Sequence, residues 1–470
     1  MSSAGISFGG LASGLDTKAI ITALVGVERR PILAMEGKKT SLNRQKSLYS
    51  DLDALLGKLG TAAKALKTTT DFLAFKAASS DETVLKATAS NTAAAGTYTA
   101  RVVQLAQAQI SASPGQSSPT SALAGGSDVE FTITVNGNPA IIALNNPSLS
   151  SIAAKINAED DANDIGVRAE VVDTGDTANS GSSRYQLVLH AKNTGSAGAF
   201  SVTLDSSPTA NSALANVING LGGTPITAAQ DAKIRLSPDV SGQTGILVTR
   251  SSNQITDLWP GVSVDLLSVA NPDKNITVTV TRDTEASSKK MQDFVDAYNK
   301  VVDFAVEQNA LGADGKAKNP LFGDPTLRSL RTNLRNSVNA QVTDTGNSAY
   351  QLLSQVGIKS DTAGKLTFDH TKFEDALNTD EDAVTKLFTN TTTGIASRLA
   401  AQVDIYEKSD GLLANRTESL GRMVKDTQTR IDKAEQRITS YQKQLEAKYA
   451  SLESLLTKLQ SQGSAVRNIG

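Results

Sequence analysis

The sequence predicts an α+β protein of several domains, in which helical N- and C-terminal legs and a helical body enclose strand-rich head domains, the distal one inserted. Three observations predict this class. Apolar residues recur every seven positions near both termini, alternate with polar residues in the middle, and return to helical spacing after Asp283. The chain of 470 residues is also long enough for about three domains.

The composition excludes several classes of protein. A formal net charge of −2 gives no electrostatic footprint for nucleic acid or an anionic membrane. Cysteine is absent, which excludes disulfides and thiolate chemistry. No segment approaches the roughly 18 apolar residues of a membrane span, and the N-terminus lacks the pattern of a Sec signal peptide. We therefore expect neither a nucleic-acid partner nor membrane insertion.

The N-terminal region is predicted to be helical after a flexible, glycine-rich opening at residues 1–15. Asp16 or Thr17 can cap a first helix, which we expect to stop near Pro31 because the residue before a proline disfavours helical backbone. A second helix is predicted from about residue 32 to 66. Its apolar stripe is Leu42, Tyr49, Leu56 and Ala63. Because the last quarter of the chain has the same period, we expect the two ends to pair.

The middle of the chain is predicted to be rich in strands. A strand is predicted at 97–105 and a Ser/Pro/Gly-rich linker at 111–127. Asn136-Gly137 predicts a hairpin, and a short helix is predicted at 148–158. A loop is expected at 206–230. The other predicted strands are 166–172, 185–190, 200–204, 245–250, 262–267 and 276–282, and we expect the last three to join the 97–105 strand.

Helices are predicted to return after Asp283. Residues 291–305 carry a wide apolar stripe, and Asp324-Pro325 predicts an N-cap followed by a helix start. That helix should turn Leu327, Leu330, Leu334 and Val338 inward. A short strand is predicted at 365–369, followed by helices around 372–377, 382–388 and 394–406.

The last quarter of the chain, residues 413–466, has an almost unbroken heptad repeat. Its apolar seam is Val424, Ile431, Ile438, Leu445, Leu452, Leu459 and Val466. A second seam is mixed and includes Lys448 and Gln462. A helix from 413 to 462 is roughly 75 Å long at 1.5 Å per residue, which is too long for one compact domain to cover. Part of the apolar seam must therefore meet another helix or another subunit.

The nested pattern predicts six segments. They are a flexible segment with leg helices at 1–67, the start of the helical body with the first head strands at 68–110, an inserted distal α+β head domain at 111–235, the remaining head strands at 236–283, a helical body domain at 284–410, and a coiled-coil leg helix at 411–470. Trp259, beside Pro260 in the strand-rich part, is expected to pack in a core or between domains.

No motif predicts an enzyme. Residues 5–9 match GxSxG, but the strand that this motif requires does not precede them. Ser287-x-x-Lys290 fits SxxK at a helix start, where capping explains it better. His190 and His370, the two histidines, stand in ordinary surface or edge positions. We therefore expect no catalytic residues, no cofactor and no metal site.

Several motifs taken together resemble a known family. They are GLASGLDT at 10–17, SSNQITDLWPGVSVDL at 251–266, FVDAYNKVV at 294–302, DPTLRSLRTNLR at 324–335, VGIKSDTAGKLTFDHTKFEDAL at 356–377 and GLLANRTESL at 411–420. The chain resembles the flagellar filament capping protein family, also called the FliD family or flagellar hook-associated protein 2. The likeness is looser at 111–235.

The resemblance implies a secreted, non-enzymatic homo-oligomeric ring at the distal tip of the bacterial flagellum, needed for motility. Such a cap promotes the folding and incorporation of exported flagellin and prevents its loss to the medium. The resemblance implies export through the flagellar type III apparatus, with hook-associated junction proteins and a cytoplasmic chaperone at the C-terminal region as further partners. The candidate contacts with flagellin or another subunit are Leu42, Tyr49, Leu56, Val424, Ile431, Ile438, Leu445, Leu452 and Leu459.

Two alternatives to the cap remain open. One is a structural hook–filament junction or flagellin-like subunit, which would be present along the shaft and not only at the tip. The other is a cell-adhesion protein that binds a host surface ligand through the distal head domain.

Overall fold

A computed structural model describes residues 14–123, 128–175, 183–205, 212–239, 241, 243–270 and 274–467. The chain folds into two compact units. The first, called here the helical unit, draws on Met1–Phe72 and Thr284–Gly470, and the second, the strand-rich unit, is Leu73–Asp283. The strand-rich part is thus inserted into a helical part, which confirms the predicted fold class. The finer six-segment division stays a prediction.

The bounds of the elements are as follows. The helices are α1 (Thr17–Lys64), α2 (Thr69–Phe72), α3 (Leu149–Asn163), α4 (Ser212–Leu221), α5 (Thr284–Gln308), α6 (Pro325–Asn339), α7 (His370–Thr379), α8 (Glu381–Thr389), α9 (Ile395–Glu407) and α10 (Leu412–Arg467). The strands are β1 (Phe75–Ser79), β2 (Leu85–Ala89), β3 (Gly96–Gln104), β4 (Ile110–Ala112), β5 (Asp128–Val135), β6 (Asn138–Asn145), β7 (Val167–Asp173), β8 (Tyr185–Ala191), β9 (Phe200–Leu204), β10 (Ala232–Leu236), β11 (Ile246–Arg250), β12 (Gln254–Trp259), β13 (Val262–Leu266), β14 (Ile276–Arg282), β15 (Ile358–Ser360) and β16 (Leu366–Phe368).

One core of the strand-rich unit lies between two antiparallel sheets, ordered β1-β14-β3-β10-β11 and β12-β13-β2. The predicted strand at 97–105 is confirmed as β3, and Trp259 packs in this core, stacked on Tyr98 at 5.0 Å between ring centroids. The prediction that 262–267 joins β3 is wrong, because β13 pairs with β12 and β2. The two residues between Trp259 and Val262 form a tight turn, with Gly261 at φ +71°, so β13 folds back beside its sequence neighbour.

The inserted part of the strand-rich unit has a second core. Two antiparallel sheets, β4-β8-β7 and β6-β5-β9, pack with α3 and α4 around it. The predicted hairpin is confirmed: Asn136 and Gly137 have φ values of +48° and +80°, the backbone that a two-residue turn of type I′ requires. Ser148 caps α3, which extends the predicted 148–158 helix to Asn163.

Two sequence expectations fail in this inserted part. The linker expected at 111–127 is wrong at its start, where β4 pairs with β8, and at Gln116, which forms an isolated bridge with Tyr185. The other described residues up to 123 form no helix or strand. The loop expected at 206–230 is wrong where α4 lies. That helix buries Leu214, Val217, Ile218 and Leu221, which have the i, i+3, i+4, i+7 spacing of one helix face.

The helical unit is built around α1, which contacts α5, α9 and α10. The predicted helices of the second half are confirmed, and Asp324 caps α6 as expected, accepting the backbone N–H of Thr326 at 2.8 Å. The predicted inward residues of α6 are all buried. The unit also contains an aromatic cluster, in which Phe72 stacks on Phe388 with 5.4 Å between ring centroids.

The predicted break at Pro31 is wrong, because α1 continues through it. A proline inside a helix costs about 3 kcal/mol through a lost hydrogen bond and a steric clash. Pro31 is exposed, and so is Val27, whose carbonyl loses its helical partner. The next residue, Ile32, is 1% exposed and packs against α10, and this packing offsets the local cost.

Candidate interaction surface of the paired terminal helices

The terminal helices α1 and α10 pair with each other, as the shared heptad period predicts. Ile32 of α1 forms an apolar cluster with Ile431, Ala434 and Ile438 of α10. Beside the cluster, the Arg29 guanidinium pairs with the Glu435 carboxylate, an interaction that is exposed and therefore weak. The apolar contact, not the ion pair, holds the two helices together.

A polar network around the buried Asp324 carboxylate also connects α1 and α10. The Tyr49 hydroxyl on α1 donates to Asp324 Oδ2 at 2.6 Å, while Asp324 Oδ1 caps α6. Arg416 of α10 stands 3.8 Å from the same carboxylate. Burial, reinforced by the negative Asp324, raises the pKa of Tyr49 to about 12. The network joins α1, α6 and α10 through one carboxylate. No local pattern predicts it, because its members are far apart along the chain.

Helix α9 crosses α1 at two glycines. A Cβ atom on Gly60 would lie 3.1 Å from Val403 Cγ1, and one on Gly57 would lie 2.9 Å from Glu407 Oε1. Burial, with the nearby Asp53 charge adding to it, raises the pKa of Glu407 above its usual range. Because Gly57 and Gly60 have no side chain, α9 can approach α1 closely at these two positions.

The face of α10 that carries both seams is covered near residues 431–438 and exposed near 452–459, where Leu455 belongs to the second seam. Ile431 and Ile438 are 6% and 9% exposed, whereas Leu452, Leu455 and Leu459 are 45%, 57% and 54% exposed. Two contacts, Arg29 with Glu435 and Lys39 with Gln428, set an antiparallel register. With a rise of about 1.5 Å per residue in both helices, this register brings Thr17, the first residue of α1, opposite about residues 447–450. The exposed leucines therefore lie past the start of α1, and we call them the tip stripe.

The nine predicted contact residues fall into three groups. Leu42, Tyr49 and Leu56 are buried inside the helical unit, as are Ile431 and Ile438. Val424 and Leu445 are half-buried. Leu452 and Leu459 are exposed in the tip stripe. Contact with flagellin or a second subunit stays a prediction for all nine, and among them Leu452 and Leu459 have the largest exposed fractions.

The residues considered for chemistry are satisfied by local partners. His190 Nε2 lies 3.0 Å from Glu170 Oε1 on the surface of β8, and His370 Nδ1 lies 3.0 Å from Ser288 Oγ. The GxSxG motif at 5–9 lies outside the described residues. Across the described ranges, no group of three His, Cys, Asp or Glu side chains is placed to hold a metal ion. No helix in those ranges combines the length and apolarity of a membrane span.

Two family profiles match the sequence. The profile described as "Flagellar hook-associated protein 2 N-terminus" matches residues 13–109, and that described as "Flagellar hook-associated protein 2 C-terminus" matches residues 229–461. Neither match includes the inserted part between them, where the motif resemblance is also looser.

Full-length relatives and a solved structure agree with the profiles. The B-type flagellar hook-associated protein 2 of Pseudomonas aeruginosa PAO1 is 27% identical, covering 96% of this chain and 94% of its own. The flagellar hook-associated protein 2 of Escherichia coli K12 is 27% identical over 98% of this chain and 97% of its own. The crystal structure of the E. coli flagellar cap protein FliD, domains D1-D2-D3, superposes with a TM-score of 0.61 at 28% identity, over 80% of this chain and 99% of that one.

Proposed function

Because the chain belongs to the flagellar hook-associated protein 2 family, we propose that it caps the bacterial flagellar filament as a homo-oligomeric ring at the distal tip. In this role it receives exported flagellin, promotes its folding and incorporation, and prevents its loss to the medium. The E. coli relative of similar fold, described as a flagellar cap protein, supports the proposal.

The observation that carries the proposal is the uncovered tip stripe of α10. Leu452, Leu455 and Leu459 lie on the same face of α10 that α1 covers at Ile431, Ala434 and Ile438, so this face can pack against a helix. Burying a leucine contributes about 1.5–3 kcal/mol when it starts fully exposed. Each of these leucines is already about half covered, so the whole stripe supplies only a few kcal/mol. A contact of that strength is specific, yet it can be released each time a flagellin subunit is added.

The remaining partners are proposed from the family to which the chain belongs. Flagellin and the hook-associated junction proteins are the assembly partners, and a cytoplasmic chaperone covers the C-terminal region before export through the flagellar type III apparatus. The mixed second seam of α10, which includes Lys448 and Gln462, keeps each of these contacts exchangeable, because polar residues weaken a coiled-coil seam.

A complementation experiment tests the cap function. A strain that lacks the gene is complemented with the wild-type chain, with L452S/L455S/L459S, or with the control V306S/I405S/L412S. The control residues are apolar, similarly exposed and placed elsewhere on the helical unit. We expect the tip variant to release flagellin monomers into the medium and to form short filaments, while the control behaves as wild type.

Three measurements decide the outcome. Circular dichroism of each purified variant establishes that it is folded, and electron microscopy measures filament length. Antibody labelling at the tip alone supports a cap, whereas labelling along the shaft supports the junction or flagellin-like alternative. Full-length filaments in the uncomplemented deletion strain would refute the cap function. Full-length filaments from the tip variant would refute the role of the tip stripe.

A further inference from the structure

Helix α6 carries a row of arginines on one face. Arg328, Arg331 and Arg335 are spaced at i, i+3 and i+7, so their side chains project from the same side of the helix. The core-facing residues of α6 occupy a different face, and Arg328 and Arg335 are exposed while Arg331 is half-buried. We call this set the arginine row.

The arginine row lines a cavity of about 420 Å³ together with Asn309, Thr332 and Asn336. All six lining side chains are cationic or neutral and polar, and none is acidic. Such a lining offers hydrogen-bond donors in every part of the cavity and no repulsion to an anion. The cavity therefore favours a ligand that carries negative charge.

The three arginines of the row lack a salt-bridge partner among the described residues. Across the part of the chain that the structure describes, none of the three guanidinium groups forms a salt bridge with a carboxylate. Arg331 Nη2 instead donates to the Ala363 carbonyl at 3.1 Å, which holds its side chain in place. Asp361, in the same hairpin as Ala363, accepts the backbone N–H of Lys365 at 2.8 Å. The row is thus both charged and partly preorganised.

We propose that the arginine row binds an acidic helical segment of a partner protein. The row extends about 10 Å along α6, seven residues at 1.5 Å each. A helix with Asp or Glu at i, i+3 and i+7 presents carboxylates over the same length, and each guanidinium can take one of them in a two-hydrogen-bond geometry. A single phosphate or sulfate is too compact to engage all three arginines. The net charge of −2 disfavours non-specific attraction of a nucleic acid or another long polyanion.

This inference does not depend on the cap function, and it concerns a different surface of the helical unit. The test uses the full chain and a fluorescein-labelled synthetic helical peptide with Glu at i, i+3 and i+7, compared with the same peptide carrying Gln at those positions. Binding is measured by fluorescence anisotropy at low and high salt. We expect the Glu peptide to bind at least tenfold more tightly than the Gln peptide at low salt, and to lose this advantage at high salt.

Two double variants locate the site. R328Q/R335Q removes the ends of the arginine row, and R430Q/R437Q removes two exposed arginines of α10 with the same seven-residue spacing. Since an exposed ion pair contributes about twofold to fivefold in affinity, we expect R328Q/R335Q to weaken binding about tenfold. R430Q/R437Q should leave binding unchanged. Unchanged circular dichroism shows that neither variant has unfolded.

Four results would overturn the proposal. Equal binding of the Glu and Gln peptides would show that the row does not recognise carboxylates. Equal losses in the two double variants would show general charge attraction without a site. Displacement of the Glu peptide by inorganic phosphate beyond the effect of chloride at equal ionic strength would assign the row to a single anion. Tighter binding of heparin through the same arginines would assign it to a polyanion.

Discussion

Replacing Tyr49 with phenylalanine should destabilise the helical unit by about 2 kcal/mol. A hydrogen bond to a charged group contributes about 1.5–3 kcal/mol to stability. The one lost here joins the Tyr49 hydroxyl to Asp324 Oδ2 at 2.6 Å, and both side chains are buried. Asp324 keeps its bonds to the backbone of α6 and the charge of Arg416 at 3.8 Å, so the carboxylate is not left without partners. The expected loss therefore falls well short of the upper limit.

Urea unfolding followed by two probes measures this loss. Far-ultraviolet circular dichroism reports mainly on helices, most of which lie in the helical unit. Fluorescence of Trp259, the one tryptophan, reports on the strand-rich unit. We expect Tyr49→Phe to lower the urea midpoint of the dichroism signal and to leave the fluorescence transition in place. Tyr350→Phe, a matched change at a half-buried tyrosine of the helical unit, should shift neither. A dichroism shift no larger than that of Tyr350→Phe would refute the assigned role of the network.

The crossing of α9 over α1 supports two further predictions. Burial raises the pKa of Glu407, and the charge of Asp53 adds to the effect. The folded state therefore binds a proton at Glu407 more tightly than the unfolded state does. The free energy of unfolding that this proton contributes is fully present in acid and is lost as pH rises through the folded pKa. Glu407→Gln should therefore stabilise the fold in urea titrations at neutral pH and have little effect in acid; an equal effect at both pH values would contradict this. Gly37→Ala, where an added Cβ meets nothing within 4 Å, should stabilise α1 by up to about 1 kcal/mol. Gly60→Ala should destabilise it, because the added Cβ would crowd the buried Val403 at 3.1 Å, and equal thermal midpoints for the two variants would contradict the argument.

Much of the fold could be predicted from local patterns. The seven-residue spacing of Ile431, Ile438 and Leu445 predicted both the long helix and its pairing with α1, because the apolar face of a helix is stable only when it packs against another element. Asn136-Gly137 and Asp324-Pro325 predicted a turn and a helix start through backbone conformations that few other residue pairs favour equally.

The failures arose where tertiary packing outweighs local preference. Pro31 was expected to end a helix, and the packing of Ile32 against α10 carries the helix through it. The Ser, Ala, Asn and Gly content of 212–221 suggested a loop, although four apolar residues there have helical spacing. The spacing of Arg328, Arg331 and Arg335 can be read from the sequence, but only the structure shows that they form no salt bridge among the described residues. Tyr49 was selected for its place in a heptad, and its bond to Asp324 joins positions 275 residues apart.

The division of the helical unit between the two ends of the chain has a consequence for folding order. During synthesis α1 emerges first, but its covering helix α10 is made from the last residues in the structure and is 56 residues long. All of Leu73–Asp283 must be translated in between, so the contact between α1 and α10 closes a very long loop, and such contacts form late. The strand-rich unit can complete its own core before the ribosome releases the chain, while the face of α1 that α10 covers, around Ile32, remains exposed. A chain terminated prematurely before Leu412 would keep that face open permanently, which makes it a substrate for chaperones and proteases.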